Sequence, residues 1–533
     1  MKQNRSHLIL IFFSLLLITC WSCNDAGKKS KPNILFIMAD DHTSQALGAY
    51  GSRLAAINPT PVLDQLAGGG MLFTNVYCTN SICTPSRGNI LTGQYSQTNG
   101  IKTLDDPLPG DRQYLAIEMK KLGYETAVIG KWHLKREPEA FDYYKVLPVQ
   151  GKYFDPEFRE KGKGQWPENL VKYEGHSSDV ITDLSIEWLK NRQSDQPFFL
   201  MHHFKAPHDD FEFAPRYADY LADVAIPEPE NLYNQPYFGS EATKGKNDSL
   251  AHKIGTSVSN RHTYRNYVKM YGFDTVTDDA SERTHLAYQE YLKRYLRCVK
   301  GVDDNLARLF DHLKENGQWE NTIIVYTSDQ GMMLGEHDYQ DKRWMYEESM
   351  RMPFIMHYPN MIQPGTKSDL LINNTDFAPT LLELAGGEVP AYMQGKSFAV
   401  ATAGETPGNW RNATYYRYWM HLTHHDVPAH FGIRTNDYKL IFYYGMPFDL
   451  RETGNPSMSW IPKSYSIEPT PAAWELYDLT KDPFETRNRY KDPEYQEIVV
   501  DLKSQLTALR EELNETDEDY PHLQQVIEAH WND

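Results

Sequence analysis

Two pairs of oxygen donors stand at the ends of apolar runs. Asp40 and Asp41 close "NILFIMADD", and Asp329 and Gln330 close "NTIIVYTSDQG". Adjacent aspartates repel each other unless a cation lies between them. A set of three carboxylates and one amide oxygen suits a hard ion such as Ca2+ or Mg2+, and lacks the histidine and thiolate clusters that Zn2+ favours. Either pair alone reads better as a helix cap or a solvated loop acid; together with the cationic residues, metal is the better reading. Those cations are Lys131 and His133 in "GKWHL", His208 in "KAPHDD", Lys342 in "QDKRWMYEE" and Arg87 in "SICTPSRGNILTG". A lone histidine is more often structural than catalytic, but three Lys or Arg and two His at comparable positions would form a local anion site. Cys83, four residues before Arg87, is then explained either by reactivity or by packing.

These residues need a scaffold that brings distant stretches together. From Asn33 onward, short apolar runs alternate with amphipathic stretches: "ETAVIGKWH", "PFFLMHHF" and "NTIIVYTSDQG" each follow a helix-like segment. In the last of those segments Leu292, Leu296, Val299, Leu306, Leu309 and Leu313 recur at helical spacing, and Gly317 is a stop signal. Strands apolar on both faces and alternating with helices predict an α/β fold, a mostly parallel sheet with helices on either side. Ligands of such sheets bind beyond the carboxyl ends of the strands, and the polar residues above fall there. If the strand runs on through "GKWHL", Lys131 and His133 face one side. The chain turns irregular from about Pro207 to Glu282, an insertion rather than a domain. After residue 404 the character changes: "FGIRTNDYKLIFYYG" predicts two strands joined at Asn436 and Asp437, "WELYDLTKDPFETRN" a further strand and turn, and "EIVVDLKSQLTALREELNE" a closing helix. That part forms a smaller α+β unit with a short antiparallel sheet.

The segment "CTPSR", Cys83 to Arg87, resembles the C-x-P-S-R signature of type I sulfatases, members of the alkaline phosphatase superfamily. The resemblance extends through "NILFIMADD", "GNILTGQY", "GKWHL", "APH", "SDQG", the lysine before "MYEESMRMPF" and "ELYDLTKDP". It implies an alkaline-phosphatase-like fold and the oxidation of Cys83 to formylglycine by a formylglycine-generating, sulfatase-maturating enzyme that reads Pro85 and Arg87. It also implies one Ca2+, with Mg2+ second, held by Asp40, Asp41, Asp329, Gln330 and the modified Cys83. Arg87, Lys131 and Lys342 would clamp the sulfate. A hydroxyl of the hydrated aldehyde would attack sulfur in line, giving a covalent sulfated enzyme. His208 would protonate the leaving sugar oxygen, helped by Lys342, and His133 would deprotonate the second hydroxyl so that sulfate is expelled. Asp329-Gln330 departs from the Asp-Asn or Asp-His pair common in this family, placing the amide oxygen one methylene further out. Cys78 and Cys298 remain structural thiols.

The chain is 533 residues long with a net charge of -18, which argues against nucleic acid or an anionic membrane surface as a partner. Its 35 tyrosines and 11 tryptophans fit rings laid against sugars, although packing is the commoner use of any one of them. Lys2, Arg5 and the apolar "LILIFFSLLLIT" suit an export signal, residues 1–23, and the following "CWSCNDAGKKSK" resembles a lipoprotein processing site with Cys20 or Cys23 as the lipidated residue. Residues 24–31 read as a tether, 32–404 as the catalytic domain and 405–533 as a subdomain completing the pocket. The expected setting is the periplasm or outer membrane of a Gram-negative bacterium, with membrane contact only through the lipid. The mucin-desulfating type of exo-acting carbohydrate sulfatase is the nearest likeness. The first substrate expectation is a 4-O-sulfated galactose or N-acetylgalactosamine, the second 6-O-sulfated N-acetylglucosamine. Trp419, His421, His424 and His425, in the ring-rich "YYRYWMHLTHHDVPAHFGIRT", are candidates for the sugar subsite, with packing between the domains as an equal alternative. A phosphomonoesterase or phosphodiesterase of the same superfamily, or a catalytically dead glycan-binding lipoprotein, are the rival readings.

Overall fold

A computed structural model of the chain describes residues 31–233, 235–243, 271–423, 427–449 and 469–533. The expected export signal, both candidate lipid-bearing cysteines and the tether except Lys31 lie outside them. Among the described residues no helix is long and apolar enough to cross a membrane.

The strand Asn33–Asp40 shows why the fold has helices on two sides. Its even-numbered residues Ile34, Phe36 and Met38 join one core with Ile90, Leu91, Leu115, Met119, Phe377 and Leu381. Its odd-numbered residues Leu35, Ile37 and Ala39 join a second core with Val180, Leu184, Trp188, Leu292, Leu296 and Leu309. A strand with both faces apolar is stable only between two helical layers. At about 25 cal/mol per Å2 of apolar surface, such burial is the main force holding the layers together.

Ten strands form the main sheet, in the order Thr366–Ser368, Met71–Phe73, Phe354–His357, Thr322–Ser328, Asn33–Asp40, Phe198–Pro207, Glu125–Lys131, Tyr143–Leu147, Glu157–Glu160, Leu170–Lys172. The five strands from Thr322–Ser328 to Tyr143–Leu147 run parallel, and antiparallel pairing lies toward both flanks. The sheet is thus mixed, with the expected parallel arrangement at its centre. The helix expected around Leu292 to Leu313 begins earlier, at Ala280, where the Asp279 side chain accepts from Ser281 N at 2.8 Å and Glu282 N at 3.1 Å. It ends before Gly317, whose φ of +66° suits glycine.

The C-terminal part carries an antiparallel sheet in the order Ala413–Tyr418, His430–Thr435, Tyr438–Tyr443, Ala473–Asp478. Its Asn436-Asp437 turn stands where the sequence places it. Phe431, Ile433, Leu440 and Phe442 pack against Val499, Leu502 and Leu506 of the Gln496–Glu512 helix. Two elements differ from expectation. The ring-rich stretch starts inside a strand, Ala413–Tyr418, and a further helix, Pro521–His530, follows the one expected to close the chain.

This unit docks in part through a buried carboxyl. Glu515 Oε1 accepts from Gln97 N at 2.9 Å, and within the unit Arg417 pairs with Asp517 at 2.6 Å. Burial pushes the Glu515 carboxyl up to about 7 from 4.5, with Arg417 and the Gln97 amide opposing. The folded chain therefore keeps a proton that the unfolded chain releases, so this group's contribution to stability is full below pH 4.5 and is lost as pH rises through about 7. Urea midpoints measured from pH 5 to 8 are expected to fall by an amount equivalent to ~2 kcal/mol, and Glu515→Gln to remove that part of the slope.

Candidate active site

Sheet register assembles the site. Ala39 pairs with Ser328, which puts Asp40 and Asp41 beside Asp329 and Gln330 just past the ends of neighbouring parallel strands. Asp40 also pairs with Pro207, which brings His208 alongside. The Glu125–Lys131 strand, on the other side of Phe198–Pro207, delivers Lys131. Cys83 opens the helix Cys83–Thr92, every residue of which is buried, and Ser86 Oγ donates to the Asp329 carbonyl. The hydroxyl of Tyr416, from the C-terminal sheet, accepts from Ser81 N at 3.3 Å and donates to the Arg343 carbonyl at 2.6 Å. One side chain thus ties the loop before Cys83 to the loop carrying Lys342.

Asp40, Asp41, Asp329 and Gln330 are wholly buried. One carboxylate oxygen from each aspartate lies within 4.8 Å of the others, and Asp40, Cys83 and His208 form a second such group. Asp41 N donates to Asp329 Oδ1 at 3.1 Å, and Gln330 Nε2 donates to Asp41 Oδ1 and lies 3.7 Å from Cys83 Sγ. Gln330 Oε1 is buried without a hydrogen-bond partner, and Asp40 Oδ1 has none either, only Arg87 Nη2 at 3.4 Å. Orphaned oxygens in an acidic cluster are costly unless a cation satisfies them, so this donor set fits a hard divalent ion. The extra methylene of Gln330 does not remove its amide from the cluster.

Cations surround these acids. Lys131 Nζ pairs with Asp40 and donates to Gln150 Oε1 at 2.7 Å. Lys342 Nζ pairs with Asp41. Arg87 donates from Nε to Asp329 Oδ2 at 2.9 Å and from Nη1 to the Lys131 carbonyl at 2.7 Å. Burial raises the Asp41 carboxyl despite Lys342, whereas Arg87 and Lys131 overcome burial at Asp329 and hold it below the usual range. Burial, then Lys205, depresses the Lys131 ammonium; for Lys342 the burial penalty is outweighed by Asp41 and Cys83, which raise it. The Cys83 thiol is pushed up to about 12, chiefly by burial, and a neutral thiol is a poor nucleophile.

The histidines complete the ring of groups. His208 Nε2 lies 3.7 Å from Asp41 Oδ2. The strand ends at Lys131, so His133 does not share an extended face with it. His133 has φ +54°, and its carbonyl accepts from Thr84 Oγ1 at 2.8 Å, next to Cys83. Its Nδ1 is buried without a partner, and burial, then Lys131, keeps the ring well below its ordinary value.

Trp419 and His421 stand apart from this arrangement. Trp419 is fully buried, with the Arg417 guanidinium 3.5 Å from its ring centre, Lys102 of the catalytic part at 5.2 Å, and Phe448 and Tyr520 against its edges. His421 is buried and its Nδ1 accepts from Ala429 N at 3.1 Å. Both rings are packed in the interior. His424 and His425 lie outside the described residues. Sequence reasoning missed Gln150, Lys205, Tyr153 and Asp209. Lys205 and Asp209 flank His208 inside "KAPHDD" and were within reach of it, whereas nothing marks Gln150 in its loop.

Comparison with known proteins identifies relatives of the chain. The sulfatase family model matches residues 32–387, and the model described as N-sulphoglucosamine sulphohydrolase, C-terminal, matches 335–452 and 465–512. An N-acetylglucosamine-6-O-sulfatase of Bacteroides thetaiotaomicron is 37% identical over 97% of this chain and 93% of its own. An N-acetylglucosamine-6-sulfatase of Capra hircus is 27% identical over 75% of this chain and 68% of its own. A structure solved in complex with its substrate D-glucosamine-2-N,6-O-disulfate superposes with TM-score 0.80 at 35% identity, covering 92% of this chain and 100% of that one. These names carry the second of the two substrate expectations and not the 4-O-sulfated galactose or N-acetylgalactosamine one.

Proposed function

The chain belongs to the sulfatase family and is a sulfuric ester hydrolase acting on carbohydrate, and from that premise we propose that it removes the 6-O-sulfate of an N-substituted glucosamine, acting on the end of a glycan. The observation that carries this reading is 37% identity, over 97% of the chain, to a protein named for that reaction. Asp40, Asp41, Asp329, Gln330 and the converted Cys83 would hold one Ca2+, a choice supported by the all-oxygen, partly orphaned donor set. When present, the ion polarises a sulfate oxygen, and the hydrated formylglycine at position 83 supplies the nucleophile.

The remaining work falls to this chain's own side chains. Arg87, Lys131 and Lys342 neutralise and orient the sulfate from positions held by their pairings with Asp329, Asp40 and Asp41. His208 delivers a proton to the leaving sugar oxygen. His133, neutral in its buried position, is placed to accept one near residue 83. The helix Cys83–Thr92, buried along its whole length, fixes the position of residue 83. Export, a lipid at Cys20 or Cys23 and maturation of Cys83 by a partner enzyme belong to the same proposal, supported by the N-terminal sequence and "CTPSR".

A panel of matched sugars tests it. Matured protein is expected to release sulfate from N-acetylglucosamine 6-sulfate or N-sulfoglucosamine 6-sulfate at least ~100-fold faster, as kcat/KM, than from N-acetylgalactosamine 4-sulfate or a phosphate ester of the same sugar. A preference for the 4-sulfate or the phosphate ester would refute the assignment.

A further inference from the structure

His208 is gripped on the side away from the acid cluster. Its Nδ1 lies 2.6 Å from Asp209 Oδ1 and 2.7 Å from the Asp209 carbonyl oxygen, while Nε2 faces Asp41. The surroundings hold Asp209 in turn. Lys205 Nζ donates to the Asp209 carbonyl oxygen at 3.4 Å and sits 4.6 Å over the ring of Tyr153, whose hydroxyl donates to the His208 carbonyl. All of these residues but Asp209 are buried, and the Asp209 side chain is only 14% exposed. With Lys205 drawing on the carbonyl oxygen, the carboxylate is the stronger acceptor for Nδ1–H. An imidazole whose Nδ1–H is bound to a carboxylate has its tautomer and ring plane fixed, leaving Nε2 for chemistry.

We infer that Asp209 is a positioning residue: its carboxylate fixes the His208 ring so that Nε2–H addresses the leaving sugar oxygen. The inference rests on the sulfatase reading and on His208 as the proton donor. The step starts from the His208 imidazolium, which carries a hydrogen on each ring nitrogen: as the bond between sulfur and the sugar oxygen breaks, that oxygen keeps the electron pair and takes the Nε2 proton, while sulfur bonds to the attacking oxygen. His208 is left neutral with its remaining hydrogen on Nδ1, and Asp209 does not change charge.

A double-variant cycle on the matured, Ca2+-loaded enzyme tests this with N-acetylglucosamine 6-sulfate. Asp209→Ala is expected to lower kcat about 10- to 100-fold, with KM changed by no more than about twofold. The pair Asp209→Ala with His208→Ala is expected to be no slower than His208→Ala alone, because a residue acting through another has no effect once its target is gone. Asp209→Asn, which keeps shape and an acceptor oxygen, guards against misfolding and is expected to fall between Asp209→Ala and the unsubstituted enzyme. A multiplied loss in the double variant, a loss carried by KM, or Asp209 variants within about twofold of the unsubstituted kcat would each overturn the assignment. If the unsubstituted enzyme releases no sulfate, the functional reading fails and the role of Asp209 falls with it, whereas additive losses in an active enzyme sink the role of Asp209 alone.

Discussion

Replacing Cys83 with alanine is expected to lower sulfate release by ~10^4-fold or more while leaving the fold intact, since a group that carries the covalent chemistry is not replaced by its neighbours. The residue opens a wholly buried helix and lies against Gln330, so its removal deletes a small buried side chain and no charge. Serine is the informative second substitution. It offers one hydroxyl to attack sulfur and no second one through which sulfate could be expelled, so at most a single turnover is expected. The native thiol is no substitute either, because burial holds its proton to about pH 12. Thermal unfolding within a few degrees of the unsubstituted protein, with activity gone, is the expected pair of observations. An alanine variant that still turns over would show that residue 83 is not the nucleophile.

Chelation is expected to have the second largest effect, about 10^3-fold on kcat/KM, matching several kcal/mol of lost Lewis-acid stabilisation. The described geometry adds a particular signature. Lys131 and Lys342 are paired with Asp40 and Asp41, so their charge is spent on the acids. With those oxygens engaged by a dication, the same lysines are available to an anion. Sulfate affinity and Ca2+ affinity should therefore rise together, and by linkage each by the same factor. Calorimetric titration of sulfate into chelated and Ca2+-loaded protein measures this factor. Equal sulfate affinity in the two states would separate the acid cluster from the anion site. Ca2+ is expected to restore the rate better than Mg2+, whose demand for near-ideal octahedral geometry a long glutamine arm meets poorly.

The acidic cluster was legible because apolar runs that stop abruptly in Asp-Asp or Asp-Gln mark the carboxyl ends of buried strands. What the sequence could not supply was the strand order. The pairing of Asn33–Asp40 with both Thr322–Ser328 and Phe198–Pro207 makes Asp41, Asp329 and His208 neighbours, although nearly 300 residues separate the first two. His133 shows the limit of periodicity, since the strand ends two residues before it and a turn with positive φ decides its direction. The ring-rich stretch shows a second limit. Tyr416 and Tyr418 face Trp344 and Met345 of the Lys342 loop, whereas Tyr415 faces the Gln496–Glu512 helix. A strand covered on both sides absorbs rings that would otherwise suggest a sugar platform. Lys205 and Asp209 needed only the question of what orients His208. Gln150 required the fold itself, since it reaches Lys131 from a loop after the strand Tyr143–Leu147.

Cys83 is expected to be a precursor, not a thiol, and mass spectrometry of the tryptic peptide Leu54–Arg87 from catalytically active protein decides this. The expected peptide is lighter by the difference between a CH2SH and a CHO group, in proportion to the active fraction. Active protein whose peptide retains an unmodified thiol throughout would contradict it.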